Sequence, residues 1–221
     1  MPSTPPRILV LAPHPDDESL GCGGTIKLLT SSGTPCDICF MTRGELGCED
    51  ASHMSTGREK VVAACRTAEA REASQLLGAR EVFFLDGLDG RLSEQPGLAQ
   101  SLGSILRGGT YTRVFCPWKG ELHPDHLATY QLLLTALVDA PMVMSIWLYE
   151  VWTPLVPTNY VPIDATLEAK RRAIGAHQSQ LELLDYLGAF TGLAAYRGLQ
   201  CPPTQYAEAF IVRTREELLR S

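Results

Sequence analysis

The chain has 221 residues, 45% of them hydrophobic and 20% charged, and its 19 Lys and Arg against 25 Asp and Glu leave a net charge of −6. That balance excludes the basic footprint of a nucleic-acid binder, and the apolar content excludes a disordered chain. No apolar run approaches the roughly 20 residues needed to cross a bilayer, and the five apolar residues after Arg7 are too few for a secretory signal. The reading is therefore a globular cytoplasmic protein, with residues 1–6 as a disordered tail.

In chain order, residues 7–12 (RILVLA) have strand length and composition. A Gly-rich stretch and an amphipathic segment at 25–29 come next, then a second apolar strand at 36–42. Residues 58–77 are rich in Ala, Glu, Arg and Leu, with Gly57 just outside the start and Gly78 placed as a C′ glycine, so a helix is predicted there. A strand at 81–85, a helix at 98–106 and a strand at 113–116 follow. Pro124 suits the first turn of a helix to about residue 138. Residues 142–152 and 160–163 are strand-like, 167–184 helical, and 209–213 a last strand. This alternation predicts a Rossmann-like α/β fold: a single domain spanning 1–221, built on a mostly parallel sheet flanked by helices. The proline-rich stretches near Pro154 and at Pro202-Pro203 read as loops inside that domain.

Seven cysteines without a secretory signal argue against a disulfide framework. Cys36-Asp-Ile-Cys39 has the spacing of half a zinc ribbon, but no second pair follows, and buried reduced thiols on a strand explain it better.

Chemistry concentrates in two places. After the first strand comes Ala12-Pro13-His14-Pro15-Asp16-Asp17-Glu18, where ligands of parallel sheets bind. Helix capping explains one of these acids and gives no role to His14. The second cluster, Glu121-Leu122-His123-Pro124-Asp125-His126, follows a later strand in the same manner. Imidazoles and carboxylates from two strand ends suit a catalytic zinc site with an open position. A spare carboxylate could serve as general base and a spare imidazole as oxyanion support. The residue types thus point to metal-assisted hydrolysis.

The motifs PHPDDE and HPDH, in that order at strand ends, resemble the PIG-L/LmbE-like zinc-dependent N-deacetylases. Further matches are Thr42-Arg43-Gly44-Glu45, Arg66 with Glu69, Asp89-Gly90-Arg91-Leu92, Tyr149-Glu150-Val151-Trp152, Lys170, His177-Gln178-Ser179-Gln180 and Glu208-Ala209-Phe210. Pro13 departs from the Ala that many relatives carry. The resemblance implies one Zn2+ per chain held by His14, Asp17 and His126, with Asp16 as general base and His123 as oxyanion support or acid. Asp125 would orient His123, and Arg66 and Asp89 would hold substrate groups. The implied reaction removes acetyl from an N-acetylglucosaminyl-type conjugate, giving acetate and a free amine. A small-molecule amino-sugar substrate is expected, with neither nucleic acid nor membrane insertion, and a homo-oligomer is left open.

Gly21-Cys22-Gly23-Gly24 lacks the third glycine of a dinucleotide fingerprint and reads as helix–sheet packing. No G-x-S-x-G elbow is present. Trp147 and Trp152 are expected in the core, while Trp118 stands open between packing and sugar stacking. His53 falls in a polar stretch read as a loop near the site mouth, and His177 is expected to make a structural contact beneath it. A phosphoesterase would want a second metal and more carboxylates. A silent sugar-binding protein would have no use for base and ligands together.

Overall fold

The computed structural model describes residues 7–47 and 56–220, so the tail at 1–6 and His53 lie outside the described residues. The elements are β1 (Arg7–Ala12), α1 (Asp17–Ser31), β2 (Cys36–Thr42), α2 (Thr56–Leu77), β3 (Val82–Gly87), α3 (Leu98–Gly109), β4 (Tyr111–Pro117), α4 (Pro124–Leu137) and β5 (Ser145–Tyr149). They continue as β6 (Asn159–Pro162), α5 (Leu167–Ala176), α6 (Gln178–Leu181), α7 (Tyr186–Leu199), β7 (Ala207–Thr214) and α8 (Arg215–Arg220). The seven strands form one sheet in the order β3-β2-β1-β4-β5-β7-β6. The first five run parallel, and β7 pairs antiparallel with both β5 and β6.

Strands covered on both faces read as unbroken apolar runs rather than alternating ones, and β1 and β2 are buried almost throughout. Ile8, Val10 and Phe40 pack on one face with Leu20, Ile26, Ala70 and Ala173 of α1, α2 and α5. Leu9, Leu11 and Val114 pack on the other with Leu102, Leu106 and Leu133 of α3 and α4. The strand period also settles the cysteine pair. Cys36 and Cys39 are three apart, belong to opposite core faces, and are free.

The chain leaves β1 toward β2 and β3, and leaves β4 toward β5. The crevice at this reversal, beyond the carboxyl ends of β1 and β4, is where parallel α/β sheets bind ligands.

Several boundaries differ from the sequence reading. The helix expected over 167–184 breaks at His177, whose φ/ψ of −82°/58° ends α5 before the one-turn α6. The strand expected over 142–152 is only Ser145–Tyr149, leaving Trp152 outside it. Gly57 lies inside α2. Helix α7 was not anticipated, because Gly188, Gly192 and Gly198 dilute its pattern.

Helix α1 carries a kink at Cys22 (φ −145°, ψ 20°). Kinks free backbone groups that must find other partners. Here the Glu208 carboxylate accepts from the N–H groups of Gly24 and Thr25 at 2.9 and 2.7 Å. The Lys170 ammonium donates to Leu20 O at 2.7 Å and to Glu208 at 2.6 Å. Gly21 is needed beside this kink, since a Cβ there would lie 2.2 Å from the Tyr149 ring. The first turn of α1 is thereby held against the sheet.

Candidate active site and metal centre

The turn after β1 delivers three acids, and none of them acts as a simple cap. Asp16 occupies the N-cap position of α1, yet its side chain makes no capping bond. Its φ of 131° is rare for a residue with a Cβ. Such a conformation costs about 1–3 kcal/mol and persists only where neighbours enforce it. They do so from both sides: the Asp16 N–H donates to Glu18 Oε2 at 3.1 Å, and the Asp16 carboxylate accepts from Arg66 Nη2 at 3.0 Å. Glu18 is fully buried, with Ser19 Oγ at 2.6 Å and His177 Nε2 at 3.2 Å from its other oxygen.

Arg66 also donates to Pro15 O at 2.6 Å and Gly44 O at 3.0 Å. Gly44, at φ +65°, leaves the space this guanidinium fills, since a Cβ there would lie within 2.4 Å of it. Burial pushes the Asp16 carboxyl up to about 6, with Arg66 opposing and Asp17 adding to the rise.

Asp17 Oδ2 lies 3.3 Å from His14 Nδ1 and 3.2 Å from His126 Nε2, and it accepts the His14 N–H at 2.9 Å. Burial alone would raise Asp17, but the His126 and His14 rings facing it hold it far below its ordinary value. On its far side, His14 Nε2 faces Asp89 Oδ1 at 3.1 Å and Asp125 Oδ2 at 3.2 Å. Burial would lower the His14 ring, yet Asp125, Asp17 and Asp89 together raise it well above its usual value. The pocket floor favours positive charge.

His126 is fully buried, and neither of its ring nitrogens has a hydrogen-bond partner among the described residues. An imidazole buried without partners pays a desolvation cost of about 1–3 kcal/mol. Its Nε2 points toward Asp17 without bonding geometry, and its Nδ1 lies 3.6 Å from Glu121 Oε2. A cation between His14 Nδ1, Asp17 Oδ2 and His126 Nε2 would satisfy all three. The carboxylates behind each ring would then orient the ligands, as outer carboxylates do in metal sites. Ligand atoms of His14, His123 and His126, and likewise those of His14, Asp89 and Asp125, lie within 4.8 Å of one another. Both groups share His14, with Asp89 and Asp125 on its Nε2 edge and Asp17 on its Nδ1 edge. The nitrogen and oxygen donors fit a divalent ion of the zinc type.

The Asp125 carboxylate does not orient His123, contrary to the sequence reading. It accepts from Gly90 N at 2.6 Å and Leu92 N at 3.1 Å, and faces His14. The N–H groups of the 88–92 turn take up the carboxylate, so the Asp125 backbone serves His123 instead. The Asp125 N–H donates to His123 Nδ1 at 3.2 Å. A neutral His123 ring then carries its proton on Nε2. Burial, followed by the nearby His14 and His126, lowers the His123 pKa.

These groups converge on one pocket of about 240 Å³ lined by His14, Asp16, Asp17, Arg66, Asp89 and His123, together with Leu46, Gly47, Gly90, Trp152, Gln180 and Tyr186. Gln180, matched in the sequence only as part of a family motif, and Tyr186, which no motif marks, reach the site from α6 and α7, and Trp152, expected in the core, lines it too. Trp152 is 45% exposed, because β5 ends before it and its loop turns toward the crevice. Trp147 does pack in the core. Trp118 donates Nε1–H to Thr153 O at 2.8 Å and packs on the opposite core face. Glu121, adjacent to the second motif, has a role that the motif alone hides. Its carboxylate accepts from the N–H groups of Val151 and Trp152 at 2.6 and 3.1 Å, tying the Trp152 loop to His126.

A sequence profile described as PIG-L: GlcNAc-PI de-N-acetylase matches residues 9–137, a span holding both strand-end loops. The probable N-acetyl-alpha-D-glucosaminyl L-malate deacetylase 2 of Bacillus cereus is 28% identical over 192 residues, covering 80% of this chain and 85% of that protein. Diacetylchitobiose deacetylase of Thermococcus kodakarensis is 28% identical over 193 residues, covering 79% of this chain and 70% of that protein. The solved structure of N,N'-diacetylchitobiose deacetylase from Pyrococcus horikoshii, complexed with its inhibitor MPG, superposes with a TM-score of 0.81 at 26% identity. That superposition covers 95% of this chain and 84% of the other. Together with the profile match over more than half its length, these likenesses make the chain a member of the PIG-L family, described as GlcNAc-PI de-N-acetylase.

Proposed function

We propose that this enzyme hydrolyses the acetamide of an N-acetylglucosaminyl-type conjugate, releasing acetate and the free amino sugar. The observation that carries this reading is His126, buried without a hydrogen-bond partner among the described residues and 3.2 Å from Asp17, which lines the pocket with His14, Asp16 and His123. His14, Asp17 and His126 would hold a zinc ion, which supplies Lewis acidity, polarising a carbonyl and making water nucleophilic near neutral pH.

The chain's own residues do the rest. Asp16, clamped by Arg66 and by its own strained backbone, takes the proton of the attacking water. His123, with Nδ1 occupied by the Asp125 N–H, presents Nε2–H to the carbonyl oxygen as negative charge develops there. The new C–O bond forms at the acetyl carbon, the C–N bond breaks, and Asp16 or His123 returns a proton to the departing amine. Arg66 and Asp89 line the pocket, but both terminal nitrogens of Arg66 are engaged with Pro15, Gly44 and Asp16, and the Asp89 carboxylate with Leu46 N and His14. They are better assigned to holding the base and the His14 ring than to binding substrate. The unpaired buried thiols of Cys22, Cys36, Cys39 and Cys116 suit a reducing compartment such as the cytoplasm.

Acetate release from N-acetylglucosamine conjugates by the zinc-loaded chain, with a chelator control, tests the activity. Asp16→Asn should keep its zinc and lose about 10²–10⁴-fold in kcat. Turnover close to wild type with zinc retained would refute the role of Asp16.

A further inference from the structure

Most polar groups around the pocket are engaged before any substrate arrives. Arg66 is bonded to Pro15, Gly44 and Asp16. Asp89 accepts from Leu46 N at 2.9 Å, and Gln180 Nε2 donates to Gly47 O at 3.1 Å. Recognising sugar hydroxyls through them means exchanging one hydrogen bond for another, which yields little net free energy.

Trp152 is different. It is the large apolar side chain of the pocket wall that stays well exposed, and it is held in place. Its backbone N–H donates to Glu121, and its ring meets the Tyr186 ring edge-on, with centroids 5.8 Å apart at 65°. Tyr186 is itself buried and packs on Phe190. An indole fixed in this way offers apolar surface to a ligand with little ordering cost on binding. The pocket, about 240 Å³, lies near the small end for ligand sites. It suits one ring with its acetamide rather than an extended conjugate. A closed pyranose presents a flat face of C–H groups, the surface on which aromatic side chains stack.

We propose that Trp152 is the platform for the pyranose ring of the N-acetylated sugar, so that the enzyme selects a closed ring and not merely an acetamide flanked by hydroxyls. This rests on the deacetylase reading above.

The test compares the zinc-loaded wild type, Trp152→Ala and Trp152→Phe on three compounds. These are the methyl and 4-nitrophenyl glycosides of N-acetylglucosamine and the ring-opened N-acetylglucosaminitol, the last measured as a competitive inhibitor. Trp152→Ala should raise KM for both glycosides by about tenfold, with the smaller change in kcat. Trp152→Phe should recover most of the loss, and Ki for the alditol should be the same in all three proteins. Zinc content and Tm identify a variant that misfolds, in which case Trp152→Phe against wild type decides. An equal loss on the alditol would overturn the proposal, as would a fall in kcat at constant KM. A loss confined to the nitrophenyl glycoside would also overturn it, placing the indole against the group beyond the sugar. If wild type releases acetate from neither glycoside, the deacetylase reading itself fails, whatever Trp152→Ala does.

Discussion

Buried carboxylates lie at both ends of the parallel strands, one at the amino ends and several at the carboxyl ends, and the two ends are balanced in opposite ways. At the amino ends, Asp37 of β2 is fully buried, and every partner it needs belongs to the chain. It accepts from Arg7 Nη2 at 2.8 Å, from Arg80 Nε at 3.0 Å, from Tyr111 Oη at 2.6 Å and from Glu81 N at 3.1 Å. At the carboxyl ends, Asp16, Asp17, Asp89, Asp125 and Glu121 surround imidazoles, with Arg66 beside Asp16, and His126 has no hydrogen bond among the described residues. Burying a charge is costly unless it is paired. The first cluster meets that requirement internally and holds strands together. A cation between His14, Asp17 and His126 would meet it at the second.

The comparison can be broken by removing one member of each end. His126→Ala should abolish zinc retention and bring acetate release to background, a loss of at least about 10³-fold, since two ligands and a base cannot hold the ion. Metal analysis and acetate release check this together. A variant that kept stoichiometric zinc would show that the cation is held elsewhere.

Glu121→Gln sharpens the contrast within the site. The amide has a single acceptor oxygen for the 151–153 backbone and no charge behind His126. Zinc affinity should fall by about 10–100-fold, the usual effect of removing a carboxylate behind a metal-bound histidine, as read by competition with a chromogenic chelator. Unchanged affinity would mean that the 3.6 Å approach to His126 is incidental.

Asp37→Ala tests the other end. It should leave zinc binding and KM alone while costing about 2–3 kcal/mol for removing the buried acceptor shared by Arg7, Arg80 and the Tyr111 hydroxyl, roughly a 4–12 °C fall in Tm. Burial pushes the Asp37 carboxyl up, but bonds from Arg80, Tyr111 and Arg7 outweigh it and hold the folded value below the ordinary one. Its contribution is therefore complete above the unfolded carboxylate pKa of about 3.9, and is lost as pH falls through the lower folded value. The Tm gap between wild type and variant should narrow as pH drops below about 4. A gap independent of pH would show that packing, not charge, holds this end.

Much of this was legible in the sequence. Strands β1 and β2 announced themselves because strands covered on both faces must be apolar throughout, and Gly78, at φ +82°, marks the end of α2 as its position implies. The residues of the two clusters could also be picked out, since three acids beside His14, and two histidines flanking Asp125, are too costly to bury for capping alone. What could not be read were relations between distant segments. Whether Asp125 supports His123 or His14 depends on where the 88–92 turn lies, and that turn comes from β3. Whether Trp152 is core or pocket wall depends on where β5 stops and where α7 brings Tyr186. The break at His177 and the kink at Cys22 are matched by partners far away in the chain, Glu18 for the one and Lys170 with Glu208 for the other. Local composition determined the sheet and the kind of chemistry at its crevice, because burial and backbone period act over a few residues. Only the tertiary structure decided which carboxylate backs which ring, because hydrogen bonds span about 3 Å in space and have no fixed reach along the sequence.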